Sequence, residues 1–288
     1  MIRTMIVVFL GVLIAFPAVI FAQQIVQPFP DGGPYDPEKN CDIDMYLCSW
    51  KTSFSRQMHG NLVVKDILVK GNSLNPTRRG AVLNYINHVS HATLEARAKT
   101  PPDILKGTQE IWYVVAGRGS VTTPKRTAEL YKGIVVFMPE GLDFSIANTG
   151  SERLEMYLVS EPTPKGFKPI TTMLVKDENM LPYADIGGHW WHKVKQLFTD
   201  ADGLAQLENV LIVSFDPMTL GHPHIYPAGQ LEVWLAVEGT TTGWLGKQIR
   251  LQPPGSGYMV PPNGTISHSN INNTCEEAKF FYIFSTPK

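Results

Sequence analysis

The residues best suited to chemistry in this chain are His222, His224, Glu232 and His268. Three imidazoles and one carboxylate make a complete ligand set for a divalent transition ion. They fall in two stretches. Gly221-His222-Pro223-His224 opens a loop that runs through Tyr226, Gly229 and Gln230 into an apolar run from Glu232 to the turn at Gly239. The second stretch leads from Tyr258 through Pro262 and Gly264 to His268 and Asn272. The period-2 spacing of His222 and His224 puts both rings on one face of an extended chain. Glu232 and His268 can join them only if the strands curl into a small barrel.

An altered copy of this pattern lies upstream. Lys99 to Gly117 aligns without gaps with Gly221 to Gly239, setting Pro101 on Pro223, Gly107 on Gly229, Glu110 on Glu232 and Gly117 on Gly239. Downstream, Gly133, Pro139, Gly141, Phe144 and Asn148 repeat the spacing of the second stretch. The imidazoles are gone from this copy. Thr100 and Pro102 stand where His222 and His224 stand, and Phe144 takes the histidine position. A carboxylate alone is not a transition-metal site.

These stretches resemble the two motifs of the cupin superfamily. In that pattern a glycine precedes His-x-His, a Glu follows, and a Gly lies seven residues beyond the Glu, as Gly239 does beyond Glu232. Pro262, Gly264, His268 and Asn272 match the second motif with one extra residue before the histidine, and Glu232 falls slightly later than the family places it. Both departures sit in loops, where insertions are tolerated. The resemblance covers roughly residues 60–288, and its recurrence in order, twice, makes it more specific than either motif alone. It implies a bicupin, an all-β chain of two antiparallel jelly-roll-like barrels with a short, partly helical connection. The expected boundaries are 1–22 signal peptide, 23–60 N-terminal arm, 61–160 first barrel with its metal ligands lost, 161–209 connecting segment and 210–288 second barrel with the metal site.

Composition fits two barrels. There are 24 Gly and 22 Pro, and the apolar runs are short. Strands are expected at 110–116, 133–138, 154–159, 210–215, 232–237 and 279–284. Alternation turns Glu232, Trp234 and Ala236 inward together. The interior of the first barrel, with Phe144 in it, is expected to be apolar and filled. In the connecting segment, 187–198 reads as the start of a short helix. His189 and His192 could share its face, and packing between the barrels is the preferred role for this aromatic-rich stretch. His88 and His91 lie off the motif positions and read as strand residues.

The N-terminus has the form of an export signal. Arg3 precedes a nearly uninterrupted apolar stretch from Met5 to Ile20, and Ala22 offers a small residue for cleavage. The mature chain is then periplasmic or secreted. In an oxidising compartment a Cys41–Cys48 disulfide and three reduced thiols stand as equal alternatives, with Cys275 alone in either case. With 25 basic and 26 acidic residues the chain carries no field that would attract nucleic acid or an anionic membrane. A small-molecule ligand is the expected partner, and a homo-oligomer is compatible with the sequence.

One divalent transition ion is expected, Mn or Fe ahead of Zn, Ni and Co. Four protein ligands on an octahedral ion leave two positions for substrate. Such an ion can act as a Lewis acid, stabilise an enolate or activate water. Tyr226 and Gln230 at the barrel mouth and Tyr258 near the second motif are the candidate substrate contacts or proton donors. The family hosts dioxygenases, decarboxylases and lyases as well as non-catalytic small-molecule and sugar binders, and fold alone does not choose among them. Asn263-Gly264-Thr265 and Asn272-Asn273-Thr274 are formal glycosylation sequons. Their place beside His268 argues that both stay unmodified, with Asn272 a turn residue whose amide holds the backbone.

Overall fold

A computed structural model describes residues 41–184 and 192–287. The expected signal, the first part of the arm, and His189 with its neighbouring tryptophans lie outside the described residues. Within them the chain is built almost entirely of antiparallel strands. Helix is limited to one turn at Ile43–Tyr46 and three 3-10 turns.

Each barrel pairs a large sheet with a smaller one. In the first, the large sheet runs in the order Leu174–Asp177, Ile134–Met138, Thr108–Ala116, Leu154–Pro162, His88–Leu94, Leu62–Lys70, Ser55–Met58. In the second the order is Leu47–Ser49, Ser256–Met259, Leu231–Glu238, Ala278–Ser285, Asn209–Phe215, His192–Thr199. The two orders correspond strand for strand along most of their length, which is the duplication seen in the sequence. All six expected strands are present, extended by one to three residues at some ends.

The segments outside the barrels do more than connect. Leu47–Ser49, from the arm, pairs with Ser256–Met259 of the second barrel, and Leu174–Asp177, from the connecting segment, pairs with Ile134–Met138 of the first. Each addition covers a sheet edge that would otherwise present unpaired backbone groups. The helix expected from residue 187 is not formed where the chain is described: His192–Thr199 is a strand paired with Asn209–Phe215. His192, Val194 and Gln196 alternate onto one face, and that period of two decided the outcome over any helical spacing. Cysteines 41, 48 and 275 form no disulfide. Cys48 lies in the arm strand committed to the second barrel, its sulfur against Gly80, and burial pushes the thiol of Cys41 up to about 12.

The barrels pack through the outer faces of their large sheets. Tyr113 stacks on Phe281 at 5.3 Å and Phe137 meets Phe198 at 5.8 Å, inside one apolar cluster that draws on both halves. Buried Glu161 ties the halves by accepting from the backbone amides of Ala205, Gln206 and Leu207 and from Gln109 Nε2. A second cluster, including Trp112, Val121, Met138, Phe144 and Leu158, fills the interior of the first barrel.

The turn that ends the second motif is the same in both halves. Asn148 donates to the carbonyls of Leu94, Glu95 and Glu152, while Asn272 donates to those of Phe215, Asp216 and Glu276. Both residues are almost fully buried, and the amide nitrogen of Asn272 is consumed by the fold. Asn263 accepts from the Thr265 amide at 3.0 Å in a tight turn at the barrel mouth. Intact-mass measurement of protein from its native source should therefore give the unglycosylated mass; a sugar mass on Asn272 would be incompatible with this turn.

Candidate metal centre

Glu232 and Trp234 are two apart on Leu231–Glu238, so their side chains share the inner face of the second barrel. The Trp234 indole donates to Glu232 Oε1 at 2.7 Å. The ring of Tyr282, on the neighbouring strand, meets the Trp234 ring edge-on at 4.7 Å. The indole bond fixes one oxygen of a nearly fully buried carboxylate. His268 opens the strand His268–Asn272 on the opposing sheet, with Nε2 3.0 Å from Glu232 Oε2 and 3.1 Å from Oε1.

His224 reaches the same point from the loop. Its backbone pairs with that of His268 in a single bridge. Its Nδ1 contacts the carbonyl of His222 at 2.6 Å. Donation there leaves Nε2 to ligate, the usual way a metal-bound imidazole is oriented. Ligand atoms of His224, Glu232 and His268 all lie within 4.8 Å of one another. Two ligands bound to one ion at about 2.0–2.2 Å stand no more than about 4.4 Å apart, so small side-chain shifts would let all three share one ion. The donor set, two imidazoles and a carboxylate, suits a first-row transition ion.

His222 lies outside this close group. Its ring is parallel to that of His224, 5.9 Å away, so the spacing does put both rings on one side. The backbone at 221–223 is loop, however: Gly221 is tied to Asn270 and Ser269 of the opposing sheet and His224 to His268, and His222 lies between these two anchors. Tyr226 is part of the site. Its ring stacks against His268 at 5.6 Å and meets the His224 ring edge-on at 4.7 Å. Burial, reinforced by the charge of Glu232, pushes its phenol up to about 12, so it is protonated at neutral pH. Gln230 is half-buried on the loop before the strand, and its buried side-chain Oε1 has no hydrogen-bond partner among the described residues. Tyr258 is completely buried and accepts from Asn270 Nδ2 at 3.0 Å. Burial first, then the charge of Glu232, drives its phenol well above the ordinary range. As the register partner of Trp234 it shares the barrel's inner face, where its hydroxyl meets Asn270 of the opposing sheet.

A cavity of about 300 Å³ adjoins the group, walled by Tyr226, Trp234, Tyr282 and Phe284 on the near side and reached by His192 on the edge strand. His192 meets Phe215 edge-on at 4.4 Å, and a side chain at residue 221 would come within 2.7 Å of its Nε2. The glycine preceding His222 thus leaves room for His192. Sequence reading missed His192 and Tyr282 as site residues. The period-2 run Phe280, Tyr282, Phe284 was the available signal for Tyr282, and His192, Val194, Gln196 for His192.

The first barrel keeps the carboxylate and replaces the rest. Trp112 Nε1 donates to Glu110 Oε2 at 2.8 Å, the counterpart of the Trp234–Glu232 bond. His59, which precedes the aligned region, bridges Glu110 at 3.0 Å and Asp103 at 2.6 Å. Phe144 packs on the His59 ring at 5.1 Å. An imidazole from the arm thus lies beside the Glu110 carboxylate. His88 and His91 lie on a strand as expected, His91 stacked on Trp50 at 4.3 Å and His88 pulled down to about 4 by burial.

The sequence matches no protein-family model and no curated protein. Solved structures with the cupin fold do resemble it. A tryptophan-to-phenylalanine variant of oxalate decarboxylase from Bacillus subtilis superposes with a TM-score of 0.62 at 14% identity, covering 86% of this chain and 79% of that one. Vicilin from hazelnut (Corylus avellana) superposes with a TM-score of 0.61 at 11% identity, covering 84% and 85%. A glyoxylate-induced protein from Pseudomonas aeruginosa gives 0.65 at 13% identity, covering 87% and 90%. The chain has the cupin fold.

Proposed function

We propose that this chain is an exported bicupin whose second barrel is a metal-dependent enzyme acting on a small oxygenated organic molecule, of the dioxygenase, decarboxylase or lyase type. The observation that carries the reading is the asymmetry between the barrels. His224, Glu232 and His268 converge beside a cavity in one, whereas His59 and Phe144 pack against the matching carboxylate in the other. One transition ion, Mn or Fe ahead of Zn, Ni and Co, would be held by these three residues with His222 as the fourth ligand. When bound it supplies Lewis acidity and open positions for substrate oxygens. Trp234 orients the carboxylate ligand by donating to it. Tyr226, held protonated, is placed to give a hydrogen bond or a proton to substrate oxygen. The apolar wall excludes water from the reacting end. The oxalate decarboxylase likeness supports chemistry on an oxygenated carbon acid without naming the substrate.

A second reading, a metal-stabilised binding protein without turnover, is favoured by the cavity lining, which includes no Asp, Glu or Lys to act as acid or base. Metal-loaded mature protein should turn over at least one member of a panel of hydroxy acids, keto acids and diols, assayed with and without O2. Stoichiometric metal with no turnover across that panel would instead support the binding reading.

A further inference from the structure

The strand register lays the cavity out as a row. Trp234 pairs with Tyr282, Tyr282 with Leu211, and Leu211 with Gln196, and all four line the cavity. Three steps between neighbouring strands at about 4.8 Å make the row roughly 14 Å long. At one end Trp234 donates to Glu232 and Tyr282 packs edge-on against Trp234. The middle is Leu211 flanked by Val213 and Val194. The far end offers the side-chain amide oxygen of Gln196, whose Nε2 is bonded to the Phe198 carbonyl; Asn209 lies beside Phe284, and the His192 imidazole reaches back to pack edge-on against Phe215 and Trp234. No Lys, Arg, Asp or Glu lines the row.

We propose that this cavity selects an elongated molecule with one oxygen-bearing end at the metal group, a flat apolar body along Leu211 and the aromatic wall, and no charge at the far end. The proposal rests on the metal reading for the near end only; the body and the far end are read from the lining. A flat body gains by leaving water against Trp234, Tyr282 and Phe284. A second carboxylate would have to shed its water where no guanidinium or ammonium receives it, and burying an unpaired charge is strongly unfavourable. Small dicarboxylates are therefore poor occupants: they use none of the apolar length and carry the wrong second group.

Three carboxylate probes separate these contributions on Mn(II)-loaded protein: acetate, 3-phenylpropionate and 3-(4-carboxyphenyl)propionate. Titration followed by tryptophan fluorescence and calorimetry should give 3-phenylpropionate an affinity at least about tenfold above acetate, the gain expected for burying a phenyl group. The added carboxylate should erase that gain, and Leu211→Phe, which fills the row, should erase it while leaving metal content and acetate binding unchanged. Equal affinities for acetate and 3-phenylpropionate, or undiminished binding of the dicarboxylate, would overturn the proposal with the metal reading intact. Should the protein load no metal, neutral 3-phenylpropan-1-ol is the probe. Its binding to wild type and loss in Leu211→Phe would support the cavity assignment while the metal reading fell; no binding would overturn both.

Discussion

Purified mature protein should carry about one transition ion per chain, and Glu232→Ala or His268→Ala should carry none. Each variant removes one of three converging ligands, and loss of a ligand from so small a set leaves an ion held by side chains that cannot complete its coordination. Changing His222 and His224 together to Ala should have the same effect. The single variants sort their parts: His224→Ala should abolish binding, while His222→Ala, which removes the ring outside the close group, should weaken it. Glu110→Ala should leave the metal content unchanged, because Glu110 already has His59 as its partner. Elemental analysis of each variant is the measurement. Two ions per chain would place a second site in the first barrel, and none after metal-supplemented expression would remove the centre altogether. Metal should also raise the melting temperature of wild type, since a ligand that binds only the folded chain stabilises it.

His59→Ala should destabilise the protein by about 3–5 kcal/mol, the usual cost of stripping one partner from a buried ion pair. Its imidazole is 4% exposed and the facing Glu110 carboxylate 2% exposed, so the variant strands a charge away from water. Burial alone pulls the His59 pKa down, but hydrogen bonds and charge from Glu110 and then Asp103 outweigh it and hold it above the ordinary 6.5. A raised histidine stabilises the fold fully below 6.5 and loses that contribution as pH rises through the folded value. Asp103 is displaced the other way: burial raises it, and the bonds to His59 and the Ile104 amide bring it below 3.8. Its contribution is present above 3.8 and lost as pH falls further. Denaturant melts should therefore place the best stability of wild type between about pH 4 and 6.5, with the alkaline decline missing in His59→Gln. The same alkaline slope in both proteins would show that His59 is not charged in the folded chain. Phe144→Ala should cost a comparable ~3–5 kcal/mol, because the ring is buried between His59 and Trp112 and its loss leaves a cavity. Equal melting curves for that variant and wild type would contradict a filled first barrel.

Much of this was legible in the order of residues. The motif glycines mark turns: Gly107, Gly117, Gly229 and Gly239 all have positive φ, a backbone state that side chains resist, so their spacing carried real geometry. Apolar alternation placed the strands, and inward alternation put Glu232 beside Trp234. The duplicated pattern has its counterpart in the matching strand orders of the two large sheets.

Other features could be decided only by the folded chain. His59 belongs to no motif and lies 51 residues from Glu110, so nothing local announces that it meets that carboxylate. The strand pairing of the arm with the second barrel likewise joins segments far apart in sequence. How near each of two histidines comes to Glu232 depends on where the loop is pinned, and it is held at Gly221 by Asn270 and Ser269 and at His224 by His268, with His222 between. His192 enters the cavity because its strand takes the sheet edge next to Asn209–Phe215. Local spacing sets which way a side chain points along its own strand; which strands stand beside one another, and hence what that side chain meets, is settled by long-range pairing.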